Sequence, residues 1–526
     1  MGIYVNRGNR SFRDFVNDDY VDKTGLIRII NQTLNTERRF TCVTRSRRFG
    51  KSMAAKMLCA YYDQSCDSRK LFHGLQIEND PSFELHLNKY PVICIDISSF
   101  ITKYRDDENI IWLLQQSVIK DLLNAYPTIQ QEEADDLMDI LLKIIEITNQ
   151  KFIIIIDEWD ALLREFNLAP KVQKSFIDLM RRLFKSQEGS DVFAGAYLTG
   201  ILPIVRYDTQ SALNNFEEYS MVDSADLAPY FGFTPQEVET LALKFNTDMD
   251  ELRNWYDGYQ IGNQKSIYNP YSVMKAVHRG NYKSYWTNTS AYDSVSTYIQ
   301  LNYDGLKEDI IKMLGGQKCR VNTTKFSNDM HDIRSKDDVL TILIHLGYLA
   351  YNQESNCCFI PNKEVIIEFT NAIEGTHWNE LIKIIEDSET LLSATLNGDE
   401  TTVAHAIDRA HDEHTSILSY NNENSLACVL SIAYIYAHND YIFHREYATG
   451  KGFADLVLIP RKSVNSPALV IELKFNNSAN TAIDQIKRKQ YPDKLSEYSG
   501  NILLVGISYN REKKEHACKI EKLTNS

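Results

Sequence analysis

Three groups of residues in this chain have the types and spacing to do chemistry. The first is Gly50-Lys51-Ser52, preceded by the basic run Arg45-Ser46-Arg47-Arg48-Phe49. At the start of a helix, free backbone N–H groups and the positive end of the dipole favour an anion. Gly50 lets the backbone approach closely, Lys51 reaches β- and γ-phosphates, and the Ser52 hydroxyl can ligate Mg²⁺. The second is Asp157-Glu158, which closes an apolar run. An aspartate there can hold the Mg²⁺ shell, and the next acid can orient or deprotonate a water. The third is Asp455 with Glu472 and Lys474. Two carboxylates bind a hard divalent cation, the cation lowers the pKa of a water, and the lysine steadies its attack on phosphorus.

These residues need particular elements beneath them. Residues 39–44 are predicted to form a buried strand, and 53–62 a helix with apolar residues every three or four positions. The runs at 91–96, 151–158 and 192–199 are continuously apolar and end in polar residues. That pattern predicts parallel strands covered on both faces, with helices at 110–125 and 172–185 as crossovers. In an open sheet of this kind the ligand lies at the carboxyl ends of the strands. Thr199, which ends the last run, is a candidate sensor of the γ-phosphate. The loop has the Walker A arrangement with Arg45 in place of the first glycine. Residues 26–30 are expected to form a helix feeding the first strand, with Tyr20 and Asp22 in packing and capping roles.

At 526 residues the chain has room for roughly three domains of about 150 residues each. Hydrophobic content of 43% and charged content of 24% are globular values. A formal net charge of −14 excludes a protein that coats nucleic acid non-specifically but leaves room for a local basic face. The nine cysteines form no Cys-x-x-Cys motif, and several lie in apolar runs, as reduced core thiols do. With no signal-peptide core and no apolar run of about 18 residues, the expectation is a cytoplasmic protein with no membrane partner.

From 211 to 335 the pattern turns helical and aromatic, and a helical lid is expected. Phe233-Thr234-Pro235-Gln236-Glu237 marks a helix start, and Trp255-Tyr256 and Tyr268 mark an aromatic core with tight turns. Arg206 could meet a phosphate in cis or across the boundary of a homo-oligomer. Residues 336–415 read as a small winged-helix-like element, poor in Lys and Arg, followed by a polar helical connector. From 416 to 526 the order is αβββαβ, with helices at 424–437 and 480–495 and strands at 441–446, 453–459, 468–475 and 501–507. Alternation puts Glu472 and Lys474 on one face, and a hairpin through 460–467 can bring Asp455 beside them. Lys487, Arg488, Lys489, Lys494, Arg511, Lys513 and Lys514 supply local positive charge.

Residues 1–210 resemble the AAA-ATPase-like domain of many bacterial proteins of unassigned role. The resemblance rests on Tyr20-Val21-Asp22-Lys23-Thr24, on the loop Arg45 to Ser52, and on Thr199-Gly200-Ile201. The family's loop also lacks the first glycine, so Arg45 is no defect, and Ser46 stands where proline is usual. The C-terminal stretch resembles the PD-(D/E)XK nuclease fold, as Asp455 with Glu472-Leu473-Lys474. Glu446, Gln485 and, more weakly, Glu423 fall on further motif positions.

The resemblance implies an α/β protein: a P-loop NTPase parallel sheet with a helical lid, followed by a restriction-endonuclease-like domain. It further implies ATP hydrolysis and Mg²⁺-dependent cleavage of nucleic acid, DNA foremost; the reading that joins the two domains is that nucleotide state controls the cut. The alternative is a nucleotide-operated switch or scaffold whose nuclease-like domain only binds nucleic acid or a protein partner.

Overall fold

The computed structural model describes residues 2–523, apart from 105–106, 165–169, 205–212, 287–291, 327–332, 375–377, 415–429, 432, 450–451, 462–463, 465, 490–494 and 496–500. The chain forms two compact units, Met1–Tyr282 with Val321–Asn356, and Lys283–Arg320 with Cys357–Ser526. Their borders fall inside the stretches 211–335 and 336–415 set apart in the sequence.

The first unit is built on five parallel strands: β1 (Phe40–Thr44), β2 (Val92–Asp96), β3 (Phe152–Asp157), β4 (Phe193–Gly200) and the short β5 (Glu217–Tyr219). Continuous hydrophobicity has the cause expected of it, because alternate residues feed two cores. Ile93, Ile95, Ile154 and Ile156 pack under the helices Ile110–Ala125, Leu137–Thr148 and Pro170–Phe184. Val92, Cys94, Ile153 and Ile155 pack on the other face with Leu58 and Tyr61 of α1 (Lys51–Tyr62). Each such side chain, fully buried, contributes about 1.5–3 kcal/mol.

The strand order is β2-β3-β4-β1-β5. Thus β4, last of the four long strands in sequence, lies between the phosphate-loop strand and the acid-bearing strand. Register aligns the ends of these strands: Thr44 is opposite Gly200, and Asp96 is opposite Asp157. The polar residues that close the apolar runs therefore stand along one edge.

Beyond this sheet the same unit carries the helices Pro235–Phe245, Met249–Tyr256, Pro270–Arg279 and Lys336–Leu346, and a hairpin of Tyr259–Ile261 with Gln264–Ile267. Thr234 and Glu237 form the expected capping box, worth about 1 kcal/mol. Glu237 also receives the Lys23 ammonium at 2.6 Å, and Lys23 donates to the Pro229 carbonyl at 2.8 Å. The N-terminal Tyr-Val-Asp-Lys-Thr segment is thereby fastened to the start of the helical region. Tyr20 and Asp22 do packing and turn work: Tyr20 lies edge-on to Phe12, and Asp22 accepts from the Thr24 and Gln76 N–H groups. Trp255, Tyr256, Tyr259 and Tyr268 are buried, as an aromatic core requires.

The second unit holds a five-stranded mixed sheet, β6 (Tyr441–Thr449), β7 (Gly452–Pro460), β8 (Ala468–Phe475), β9 (Ile502–Asn510) and β10 (Glu515–Leu523), paired in sequence order. Only β8 and β9 run parallel, and the helix α2 (Ala479–Arg488) links them. The expected βββαβ order is present among the described residues, with β10 added at the edge. Its sequence, Glu515-His516-Ala517-Cys518-Lys519-Ile520-Glu521-Lys522-Leu523, is too polar to signal a strand.

The helix expected over 424–437 is described only from Leu430, and it passes into a 3-10 turn at Ile435–Asn439. Helices Asn379–Leu396 and Glu400–His414 belong to the same unit as the sheet. Asp408 accepts both the backbone N–H and a ring nitrogen of His516 at 2.8 and 2.7 Å, tying the helix to β10. Among the described residues no helix is long and apolar enough to cross a membrane, and the eight described cysteines form no disulfide with one another.

Candidate functional site

The loop between β1 and α1 turns on Gly50, whose φ of +91° lies in the left-handed region where glycine has no steric cost. A Cβ there would meet nothing within 4 Å, so the backbone faces open space at the helix start. Lys51, by contrast, is 6% exposed, and its ammonium rests on the loop's own carbonyls, Arg45 O and Ser46 O, each at 2.8 Å. Burial pushes its pKa down to about 8, and the nearby Glu158, Asp157 and Asp160 offset only part of that. A desolvated ammonium in a loop with an open anion-facing backbone fits a phosphate.

The rest of the loop is held from outside. The Phe49 ring meets Tyr259 edge-on at 5.0 Å, its carbonyl accepts from Gly232 N–H at 3.1 Å, and the Arg48 guanidinium stacks on Tyr271 at 4.0 Å. Arg47 is half-buried; burial lowers its pKa first and Arg164 adds to that, while Glu158 draws it back. Arg45 is fully buried beneath the loop. Its Nη1 donates to Thr44 O and Tyr219 O at 2.8 and 2.9 Å, and burial lowers its pKa to about 10. Arg45 thus gives the loop surface its backbone, while its charge ties β1 to β5. The Ser46 hydroxyl is buried with no partner among the described residues.

At the end of β3, Asp157 accepts a hydrogen bond from the Thr199 hydroxyl, and that hydroxyl in turn accepts from Glu158 N–H at 3.3 Å. Trp159 N–H donates to Thr199 O at 2.8 Å. Thr199 is fully buried, and its one hydroxyl proton goes to Asp157 in this arrangement; donating to a phosphate would require turning that proton away from Asp157. Glu158 has φ +53°, a strained conformation for a residue with a side chain, costing of order 1 kcal/mol and kept only where neighbours fix it.

Sequence reading missed Asp160 and Arg164. Asp160 is fully buried and accepts from Ile201 and Leu202 N–H at 3.1 and 2.8 Å, while Arg164 joins Asp160 at 2.9 Å and Glu158 at 3.2 Å. A third acid, three residues after Asp157, and an arginine four residues on, one helical turn, were the available signal.

Gly200 belongs to the same interlock, because a Cβ there would lie 2.7 Å from Asp160 Oδ1 and from the Trp159 ring. Gly200→Ala is expected to lower stability by about 1–3 kcal/mol, measured by thermal melting. An unchanged melting temperature would mean that the turn has slack.

In the second unit, Asp455 accepts from Leu473 N–H at 2.8 Å, the step that brings it beside Glu472 on the adjacent strand. Lys474 Nζ donates to Glu472 Oε1 at 3.1 Å, and Gln485 of α2 donates to the same oxygen. Glu472 is 2% exposed, and its Oε2 is buried without a partner among the described residues. Burial and then Asp455 push its pKa up to about 7, against the pull of Lys474. A buried, unmatched carboxylate oxygen next to a second acid fits a hard cation.

Among the described residues no group of three or more His, Cys, Asp and Glu side chains surrounds a common point, so the ligand set offered here is the pair Asp455 and Glu472. Glu446 lies on β6, but its side chain, like all of Glu423 and Arg206, is outside the described residues.

A parallel α/β sheet with a phosphate-loop helix and paired acids on its edge is the architecture of a P-loop ATPase-like domain. The mixed sheet carrying Asp455, Glu472 and Lys474 is that of a restriction-endonuclease-like domain. Comparison with known proteins agrees on both. Residues 7–209 match the model of the family described as predicted AAA-ATPase, and residues 421–518 match that of the PD-(D/E)XK nuclease superfamily. The chain carries both domains.

It is also 22% identical, over 94% of its length and 93% of the relative's, to a protein of Azotobacter chroococcum mcd 1 described as an uncharacterized protein in the vnfD 5' region. Among solved structures it is similar to the Aeropyrum pernix ORC2 protein in ADPNP and ADP complexes, at 13% identity, with 69% of this chain and 98% of that one covered and a TM-score of 0.29.

Proposed function

We propose that the chain binds and hydrolyses ATP at the β1–α1 loop, that its C-terminal domain is a Mg²⁺-dependent nuclease acting on DNA, and that nucleotide state controls the cut. The observation that carries the ATP reading is the buried Lys51 ammonium, which a phosphate would match better than the two loop carbonyls do. Gly50 and the loop backbone from Arg45 to Phe49 would wrap the phosphates, and Ser52 and Asp157 would hold Mg²⁺. Glu158 would align the attacking water, with Thr199 fixing both acids. At the second site Asp455 and Glu472 would hold Mg²⁺, Gln485 would set the Glu472 carboxylate, and Lys474 would meet charge developing on the phosphodiester. When bound there, a divalent cation supplies positive charge and a more acidic water.

Glu158→Gln keeps the size and the Arg164 contact but removes the carboxylate charge. It should leave ATP affinity near that of the wild type and slow hydrolysis by about 10²-fold or more, as read by nucleotide titration and phosphate release. Wild-type turnover in this variant would remove Glu158 from the chemistry.

Control of one domain by the other requires nucleotide states that differ in their effect on the nuclease. The expected result is that DNA cleavage by the full chain changes with ATP and that Lys51→Ala abolishes this dependence. Cleavage indifferent to ATP would mean independent modules. Metal-dependent DNA binding with no cleavage would favour the switch or scaffold reading.

A further inference from the structure

We infer that Arg164, aligned by Asp160, is a positioning residue for ATP hydrolysis; the inference rests on the ATPase reading above. The backbone of Glu158 is fixed on both sides. Its N–H donates to the Thr199 hydroxyl at 3.3 Å, and the next N–H, of Trp159, donates to the Thr199 carbonyl at 2.8 Å. The carbonyl of Glu158 accepts from Ala161 N–H at 3.0 Å. These bonds hold φ at +53°, but they leave the carboxylate itself to be aimed.

The Glu158 side chain is 32% exposed, and Arg164 Nη2 donates to its Oε2 at 3.2 Å. Arg164 is itself set by Asp160, whose Oδ2 accepts Arg164 Nε at 2.9 Å as well as the N–H groups of Ile201 and Leu202. A planar guanidinium held through one nitrogen and donating through another fixes its partner in direction as well as distance.

The chain of contacts runs from the segment after Thr199, through Asp160 and Arg164, to the Glu158 carboxylate. A displacement of Ile201 and Leu202 would therefore move the hydrolytic acid through contacts in which the Lys51 ammonium, held by Arg45 O and Ser46 O, takes no part. Removing Arg164 should leave ATP binding in place and spoil only the alignment of the water. Misplacement on the scale of an ångström costs about ten- to a hundredfold in rate.

The test uses the full chain with Mg²⁺ and ATP, measuring kcat, KM and the affinity for a fluorescent ATP analogue. Arg164→Ala is expected to lower kcat about ten- to a hundredfold with KM and affinity changed less than about threefold. Arg164→Lys, which keeps the charge and one donor, should recover part of the loss, and Asp160→Asn should lower kcat in the same way. In a Glu158→Gln background, Arg164→Ala should cost nothing further, because it acts through Glu158.

A kcat at or above wild type in Arg164→Ala overturns the inference, as does a full additional loss in the double variant. Should Arg164→Ala fold poorly, the same comparison made with Arg164→Lys decides. If Lys51→Ala and Glu158→Gln both hydrolyse ATP like the wild type, the ATPase reading has failed and this inference falls with it. If those two are inactive and Arg164→Ala is not impaired, only this inference has failed.

Discussion

Lys51→Ala is expected to abolish ATP hydrolysis and to weaken nucleotide binding by about 10²-fold, the loss of about 3 kcal/mol that a charge-assisted contact to phosphate supplies. Two effects act together. The phosphate would lose its nearest cation, and the carbonyls of Arg45 and Ser46, now served by the ammonium at 2.8 Å, would lose their donor. Lys51→Arg separates them, since it keeps the charge in a shape that the buried site does not fit, and it should also be inactive. Binding is read by titration with a fluorescent nucleotide and turnover by phosphate release. Because the buried ammonium also serves those two carbonyls, its loss should lower the melting temperature without nucleotide by the equivalent of about 1–3 kcal/mol, and a folded variant is confirmed by that melt before binding is read. Turnover at the wild-type rate in Lys51→Ala would remove the loop from the chemistry.

Asp455→Ala and Glu472→Ala should each lose metal-dependent cleavage by roughly 10³-fold or more, because among the described residues these two carboxylates are the whole ligand set. Folding should survive. With its charge buried beside Asp455, Glu472 already has a pKa raised to about 7, so replacing it relieves an unfavourable ionisation rather than breaking a favourable one. The melting temperature of Glu472→Ala is therefore expected to stay at or near that of the wild type.

Lys474→Ala should impair cleavage yet keep more of the metal affinity, since the ammonium lies against Glu472 Oε1 while Oε2 remains available. ATP hydrolysis should persist in all three. Metal affinity is read by calorimetry with Mg²⁺ and Mn²⁺, and cleavage on single- and double-stranded DNA and RNA. Undiminished cleavage in Asp455→Ala would place the chemistry elsewhere, and a wild-type chain that binds metal but cuts nothing would leave the switch reading standing.

The sequence by itself determined the local features of both sites. Four apolar runs ending in polar residues became β1 to β4, the Gly-Lys-Ser run became the start of α1, and the two-residue spacing of Glu472 and Lys474 put them on one face of β8. Each of these follows from a residue's own backbone period and its immediate neighbours, which is information a linear pattern carries.

Tertiary structure decided what each side chain meets. It placed β4 between β1 and β3, so that Thr199 holds Asp157 and Glu158 across about forty residues of chain. It turned the Arg45 guanidinium down onto Tyr219 instead of up toward a phosphate, and it gave Glu158 an aiming arginine through a buried aspartate. It also added β10 to the second sheet, an edge strand whose polar sequence carries no alternation strong enough to announce it. The physical reason is common to all of these. Packing brings together groups far apart in sequence, and burial then sets their charge and hydrogen bonding, whereas periodicity reports only which way a side chain leaves its own strand or helix.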